Sequence, residues 1–144
     1  MLTEQEQKLL DMLFDICPHW KANILKQIDT ADIEREFTGS NMAVIFKVTS
    51  DHRINMDIVD PVEIMLGNVD LSQCTVTKIN GYPVISENRV HLLDNETISI
   101  LYIFRNGIIE EIEVFSQVGN ILDPILPLDR SRVYNVYDMS ILSE

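Results

Sequence analysis

The chain has 144 residues, of which 46% are hydrophobic, and carries 23 acidic against 11 basic side chains, a formal net charge of −12. This length suits one domain with a core of its own, and the charge argues against nucleic acid or anionic lipid as a direct partner. The N-terminus is polar and acidic, without the features of a signal peptide, and no apolar run reaches a membrane span, so we expect a cytoplasmic protein.

Two helices are predicted at the start of the chain. Thr3 and Glu6 have the spacing of a capping box, and apolar residues recur at helical spacing from Leu9 onwards. Pro18 lacks the amide that a helix interior needs, so it ends or bends the first helix. A second, short helix is predicted from His19 to about Ile28.

Strands are predicted after residue 31, where period-two patterns and β-branched residues take over. Asn80-Gly81 and Asn106-Gly107 each favour a type I′ hairpin turn, and Pro83 demotes its strand towards a sheet edge. The predicted strands are Asp32 to Phe37, Met42 to Thr49, Cys74 to Ile79, Tyr82 to Ile85, Thr97 to Arg105 and Ile108 to Phe115.

Two segments stay open at this level. Residues 50–71 contain Pro61 and Gly67 and suit a loop with a short strand or one helical turn, whereas the Pro-containing tail 119–144 suits an edge strand or coil. The whole chain, 1–144, is predicted to be a single α+β domain. Its helices, at about 3–28, pack on one face of a mostly antiparallel sheet at about 31–118.

No motif for catalysis, metal or phosphate is present in the sequence. His19, His52 and His91 do not have metal-ligand spacing with one another or with a cysteine, and no glycine loop or nucleophile elbow occurs. Cys17 and Cys74 are far apart in apolar contexts, which favours reduced, structural thiols. We therefore expect no enzyme and no cofactor.

Carboxylates are the abundant reactive groups, and most of them are expected to be solvated. A row of carboxylates on a sheet can also imitate the phosphates that a nuclease binds. A regular hairpin after a two-residue turn places Glu111 opposite Tyr102, so Glu111 and Glu113 are predicted to share a face with Tyr102 and Phe104. A mixed apolar and acidic face suits a surface that another protein covers, or one half beneath the helices.

The stretch IEREFTG, residues 33–39, precedes an apolar strand. Strand alternation places Glu34 and Glu36 on one side and Phe37 on the other, with Phe37 entering the core. Gly39 permits a turn or bulge before the next strand. The charged residues are then the exposed side of a sheet edge and not an active site.

The order of these elements resembles a known group of proteins. Two helices, then IEREFTG with an apolar strand, then the hairpin YIFRNGIIEEIEVF, are similar to small bacterial α+β immunity proteins of polymorphic-toxin and contact-dependent growth inhibition systems. The resemblance covers roughly residues 5–115. It implies a cytoplasmic, non-catalytic protein that neutralises one toxin domain, often a nuclease with a basic active-site cleft.

Three hypotheses follow. The first is an immunity protein that covers the active site, or an adjacent essential surface, of a cognate toxin C-terminal domain that is basic and of nuclease type. Its expected contact residues are Glu110, Glu111, Glu113, Asp57, Asp60 and Glu63. The alternative is an acidic secretion chaperone that holds an effector segment as a dimer. The third is an enzyme that works through carboxylates such as Glu34, Glu36, Glu110 or Glu113.

Overall fold

The first helix, α1, runs from Glu4 to Ile16 and begins with the predicted capping box. In this computed structural model, the Thr3 hydroxyl accepts from the Glu6 amide at 3.2 Å, and the Thr3 amide donates to the Glu6 carboxylate at 2.8 Å. A 3-10 turn at Pro18–Trp20 follows, since proline cannot continue the helix. The second helix, α2, spans Lys21–Asp29. The structure describes residues 1–55, 61–67, 71–72, 76–79, 81–85, 97–116, 119 and 132–135.

The described residues contain a mostly antiparallel sheet, so the predicted α+β class is confirmed. Its strands are β1 Asp32–Phe37, β2 Asn41–Lys47, β3 Pro61–Leu66, β4 Val76–Ile79, β5 Tyr82–Ile85, β6 Ile98–Arg105, β7 Ile108–Ser116 and β8 Arg132–Asn135. Their order is β1-β2-β7-β6-β3-β8-β5-β4. The contact between β5 and β8 is parallel, and the other pairs of neighbours are antiparallel.

Both segments that the sequence left open contribute strands to the interior of the sheet. The first supplies β3, which lies between β6 and β8, and the tail supplies β8, which lies between β3 and β5 and is not an edge. Strand β3 is buried on both faces, because Ile64 and its neighbour Met65 are both fully inaccessible. A strand of this kind does not alternate between polar and apolar residues, so its sequence carries no period-two signal.

One hydrophobic core joins the two helices to the sheet. The Tyr102 hydroxyl on β6 donates to the Leu9 carbonyl of α1, and Trp20 meets Phe104 edge to face at 5.7 Å between ring centroids. Cys17 is buried in the same core, and burial raises the pKa of its thiol. The helices therefore pack on the face of the sheet that carries Tyr102 and Phe104.

Gln27 of α2 is a fully buried polar residue that fixes the turn of the β6–β7 hairpin. Its Nε2 donates to the carbonyls of His52 at 2.6 Å and Gly107 at 2.9 Å, and its Oε1 accepts from the Ile109 amide at 2.9 Å. The Gly107 carbonyl also accepts from the Ile54 amide at 3.0 Å. Helix α2, the segment before β3 and the hairpin turn are thus joined by one network.

The hairpin itself has the predicted turn but not the predicted register. Asn106 and Gly107 have φ of 51° and 79°, as a type I′ turn requires. Phe104 pairs with Ile109 as expected, but the pairing then shifts by one residue, and Tyr102 lies opposite Ile112 instead of Glu111. The extra residue on β7 is Glu110, so this irregularity is a β-bulge.

Candidate partner-binding face

Four glutamates from two distant parts of the sequence lie together on the sheet face away from the helices. Glu34 of β1, Ile45 of β2 and Glu111 of β7 form one row across the three strands, and Glu36, Ala43 and Glu113 form the next. Strands two positions apart are separated by about 10 Å. We call the set Glu34, Glu36, Glu111 and Glu113 the acidic face.

This arrangement corrects the predicted surroundings of Glu111 and Glu113, which do not share a face with Tyr102 and Phe104. The bulge returns Ile112 to the buried side and turns the glutamates towards Ile103 and Leu101. A regular strand would press two carboxylates into the core beside Tyr102, where burial strongly disfavours charge. The signal in the sequence is the three-residue step from Ile109 to Ile112 in an otherwise period-two pattern.

Among the described residues, one cation and one neutral amide interact with the carboxylates of the acidic face. Lys47 Nζ lies 2.7 Å from Glu34 Oε1, and Asn41 Nδ2 donates to Glu113 Oε1 at 2.7 Å. Within the described residues, Glu36 and Glu111 have no ion pair and no hydrogen bond to their side chains. In this part of the chain, three of the four carboxylates of the acidic face therefore have no cationic partner.

The environment of Glu111 reflects this crowding. Partial burial raises the pKa of its carboxyl group, and the negative charges of Glu113, Glu36 and Glu110 raise that pKa further. Because the charged form is disfavoured in the folded state, Glu111 lowers stability at neutral pH. A positive group placed over the face would remove this repulsion.

We expect Glu111→Gln to stabilise the free protein by about 0.5 kcal/mol at neutral pH, since partial burial and the nearby charges of Glu113 and Glu36 disfavour the ionised side chain, and repulsions between like charges on a sheet are of this order. The pKa of Glu111 is higher in the folded than in the unfolded chain. The loss of stability that its charge causes is therefore fully present above the folded pKa. The penalty vanishes below the unfolded value of 4.5. Urea unfolding across this pH range measures the difference. The control is Asp11→Asn, which removes one charge from the exposed side of α1, away from the acidic face, and should change stability little. Destabilisation by Glu111→Gln would contradict the repulsion.

The remaining predicted contact residues divide into three cases. Glu110 lies at the bulge, partly exposed, with its Oε1 3.1 Å from Arg105 Nε. Glu63 lies in the interior strand β3, is only 3% exposed and has an interaction partner, so it does not belong to an exposed acidic patch. Asp57 and Asp60 lie outside the described residues. The predicted patch around Pro61 is therefore corrected at Glu63.

On the opposite side of β1, Arg35 is tied to α1. Its Nε and Nη2 lie 2.7 and 2.8 Å from the two Glu6 carboxylate oxygens, and Nη2 also donates to the Met1 carbonyl at 2.8 Å. Burial by itself raises the pKa of Glu6, but the hydrogen bonds from Arg35 and Thr3 and the charge of Arg35 together hold that pKa below its usual value. The prediction that this strand is an exposed edge is confirmed, with Arg35 as its anchor to α1.

Phe37 does not enter the core, contrary to the sequence prediction, and is 54% exposed. It borders an apolar groove of about 350 Å³ between the first turns of α1 and the strands β1, β2 and β7. Leu9 and Val44 line the same groove. A second, wider groove, which Ile33 lines, lies between the helices and the other end of β1.

The described surface combines the carboxylates of the acidic face with two grooves beside the helices. Glu111 and Glu113 line neither of these two grooves. No group of three or more His, Cys, Asp or Glu side chains among the described residues could hold a metal ion. In the same part of the chain, no helix has the length and apolar character needed to cross a bilayer.

Comparison with known proteins adds no relative, because no family model, curated protein or solved structure matches the chain.

Proposed function

We propose that this protein is an immunity protein, which binds the C-terminal domain of a cognate toxin and neutralises it by covering its active site or an adjacent essential surface. The observation that carries the proposal is the acidic face. It gathers Glu34, Glu36, Glu111 and Glu113 on one exposed surface although the two pairs lie far apart in the sequence.

The energetics of this face favour a binding role. Partial burial and the charges around Glu111 disfavour its ionised form, and this lowers the stability of the free protein. A basic partner would convert the repulsion into attraction and would be steered to the face by the net charge of −12. Partly exposed Ile45 lies between Glu34 and Glu111, and partly exposed Leu101 and Ile103 lie beside the acidic face on β6, so all three supply apolar contact area.

A nuclease-type toxin domain fits this surface best among basic partners. Glu111 and Glu113 are two residues apart on β7, so the rise per residue of a strand places their Cα atoms about 7 Å apart. Such a row of negative charge suits a cleft that has evolved to hold successive phosphates. The acidity of the chain at the same time disfavours direct binding of nucleic acid.

The test is co-purification with the toxin C-terminal domain encoded beside this gene, followed by calorimetry and an assay of nucleic acid cleavage. We expect a discrete one-to-one complex that abolishes cleavage and that weakens between about 50 and 200 mM salt. Glu111→Lys with Glu113→Lys should slow association by about tenfold or more, because rim charges act mainly on the association rate.

The control is Asp11→Lys with Asp15→Lys, which changes the net charge equally on the exposed side of α1. An equal loss with both double variants would mean that overall charge, and not the acidic face, drives binding. No complex with the neighbouring toxin domain would overturn the proposal. A homodimer that holds an extended effector segment would instead indicate a secretion chaperone.

A further inference from the structure

Strand β1 forms one edge of the sheet and is open to solvent along its length. Among the described residues its one strand partner is β2. Five of its six residues are exposed, and Ile33 is half-buried. An exposed edge presents unpaired amides and carbonyls, which another extended chain can use.

The register identifies which backbone groups face outwards. The Thr38 amide donates to the Asn41 carbonyl at 2.9 Å, so these two residues form a hydrogen-bonded pair. Hydrogen-bonded and non-hydrogen-bonded pairs alternate in an antiparallel ladder. The amides and carbonyls of Glu34 and Glu36 therefore bond to β2, and those of Ile33, Arg35 and Phe37 point away from the sheet.

The two sides of this edge differ in chemistry. On one side, Glu34 and Glu36 belong to the acidic face. On the other side, Ile33 and Phe37 each line one of the two grooves beside the helices, and Arg35 between them is held by Glu6. An added strand would therefore meet negative charge at every second residue, and on its other side the apolar Ile33 and Phe37 with Arg35, already paired with Glu6, between them.

We propose that β1 receives an extended segment of the partner as a further strand of the sheet, and that this segment alternates basic with apolar residues. The inference rests on the proposed function and specifies how the partner is held. Main-chain hydrogen bonds to Ile33, Arg35 and Phe37 would supply affinity, and the alternating side chains would supply specificity. Strand addition would also place the basic residues of the bound segment beside Glu34 and Glu36 of the acidic face.

A second copy of this chain is a poor occupant of the same edge. Antiparallel pairing of two β1 strands about Arg35 would place Arg35 opposite Arg35 and Glu34 opposite Glu36 of the second copy. Like charges directly opposite each other destabilise a strand pair. The charge pattern of β1 thus disfavours self-association and favours a basic strand.

The minimal probe is the synthetic peptide acetyl-Lys-Val-Lys-Val-Lys-Val-Lys-amide, added to isotope-labelled protein at low salt. Amide hydrogen exchange is measured residue by residue. We expect the outward amides of Ile33, Arg35 and Phe37 to exchange at least about tenfold more slowly when the peptide is bound. The amides of Glu34 and Glu36, already bonded to β2, should change little and serve as internal controls.

Two sets of control peptides test the strand geometry. A peptide of the same composition with lysines and valines in separate blocks should bind at least about tenfold more weakly, because its side chains cannot alternate between the two faces. N-methylation of the valines alone should abolish binding of an antiparallel strand, and N-methylation of the lysines alone that of a parallel strand. Loss with both sets of methyl groups, or with neither, would overturn strand addition.

A matched pair of protein variants isolates the backbone of β1. Arg35→Ala and Arg35→Pro both remove the ion pair with Glu6, but only proline removes the outward amide, and proline is tolerated on an edge strand in this orientation. We expect the proline variant to bind the peptide several-fold more weakly than the alanine variant. Equal binding would contradict the proposal, and the exchange and N-methyl experiments decide the question if either variant fails to fold.

The same exchange measurement with the toxin domain separates this inference from the proposed function. A complex that protects Ile33, Arg35 and Phe37 supports both. A complex that leaves these three amides unprotected, yet is weakened by Glu111→Lys with Glu113→Lys, overturns strand addition and leaves the immunity function in place. Failure of any toxin domain to bind, with the peptide still protecting the three amides, overturns the immunity function alone.

Discussion

Replacing Gln27 with alanine is expected to destabilise the protein by about 3 kcal/mol, a large part of the stability of a typical domain. The buried Ile109 amide and the part-buried His52 carbonyl would lose their partner, and the removed side chain would leave a cavity. Urea unfolding of the purified variant gives the free energy directly.

Asn23→Ala is the matched control for this change. Asn23 also lies on α2, and its Nδ2 donates to the Arg53 carbonyl at 2.9 Å, but water can replace that exposed bond. The expected loss is about 0.5 kcal/mol. Similar losses for Gln27→Ala and Asn23→Ala would contradict the role of the buried network.

The isosteric change Gln27→Glu extends the test to pH. An ionised carboxylate has no hydrogen to offer the carbonyls of His52 and Gly107, so destabilisation should exceed that of alanine at neutral pH. Burial among acceptors raises the pKa of an acid, and the neutral form regains one donor. The deficit relative to the unmodified protein should therefore shrink as the pH falls.

Gly107→Ala is the second change with a large expected effect, about 3 kcal/mol. Gly107 has φ of +79°, which alanine adopts only with strain. In addition, a Cβ atom there would lie 2.3 Å from the Ile54 carbonyl oxygen and 3.3 Å from the Arg53 Cβ. The turn would have to move away from this segment, and the Gln27 network would be disturbed as well.

Gly81→Ala separates the two causes. Gly81 has nearly the same φ, +82°, but a Cβ there meets no atom within 4 Å. Its loss should reflect backbone strain alone, about 1–2 kcal/mol. The difference between the two variants then measures the close approach at Gly107, and equal losses would contradict that contact.

Local signals predicted much of this fold. The capping box at Thr3, the break at Pro18 and the Asn106-Gly107 turn each depend on neighbouring residues alone, and the structure confirms all three. The bounds of β1 and β5 agree with the prediction, since turns or polar residues flank each strand.

Features that depend on distant parts of the chain were missed. Strand β3 lies between β6 and β8 and is buried on both faces, which its own sequence cannot reveal, and this burial removes Glu63 from the surface. Phe37 was predicted to enter the core because it is apolar. Whether another part of the chain covers it depends on the tertiary structure, and in the structure it is exposed. The acidic face combines β1 with β7, and only the sheet order brings Glu36 near Glu111.

The bulge at Glu110 also bears on how this chain can change in length during evolution. Loss of Glu110 would leave Ile109 and Ile112 on the buried side of a regular ladder, with Glu111 still facing outwards. Gain of one residue between Glu111 and Ile112 would instead turn one half of β7 over. We therefore expect single-residue deletions at this point to be tolerated and single-residue insertions to be selected against. A deletion keeps Glu111 and Glu113 on the outer face, whereas an insertion turns part of the strand over.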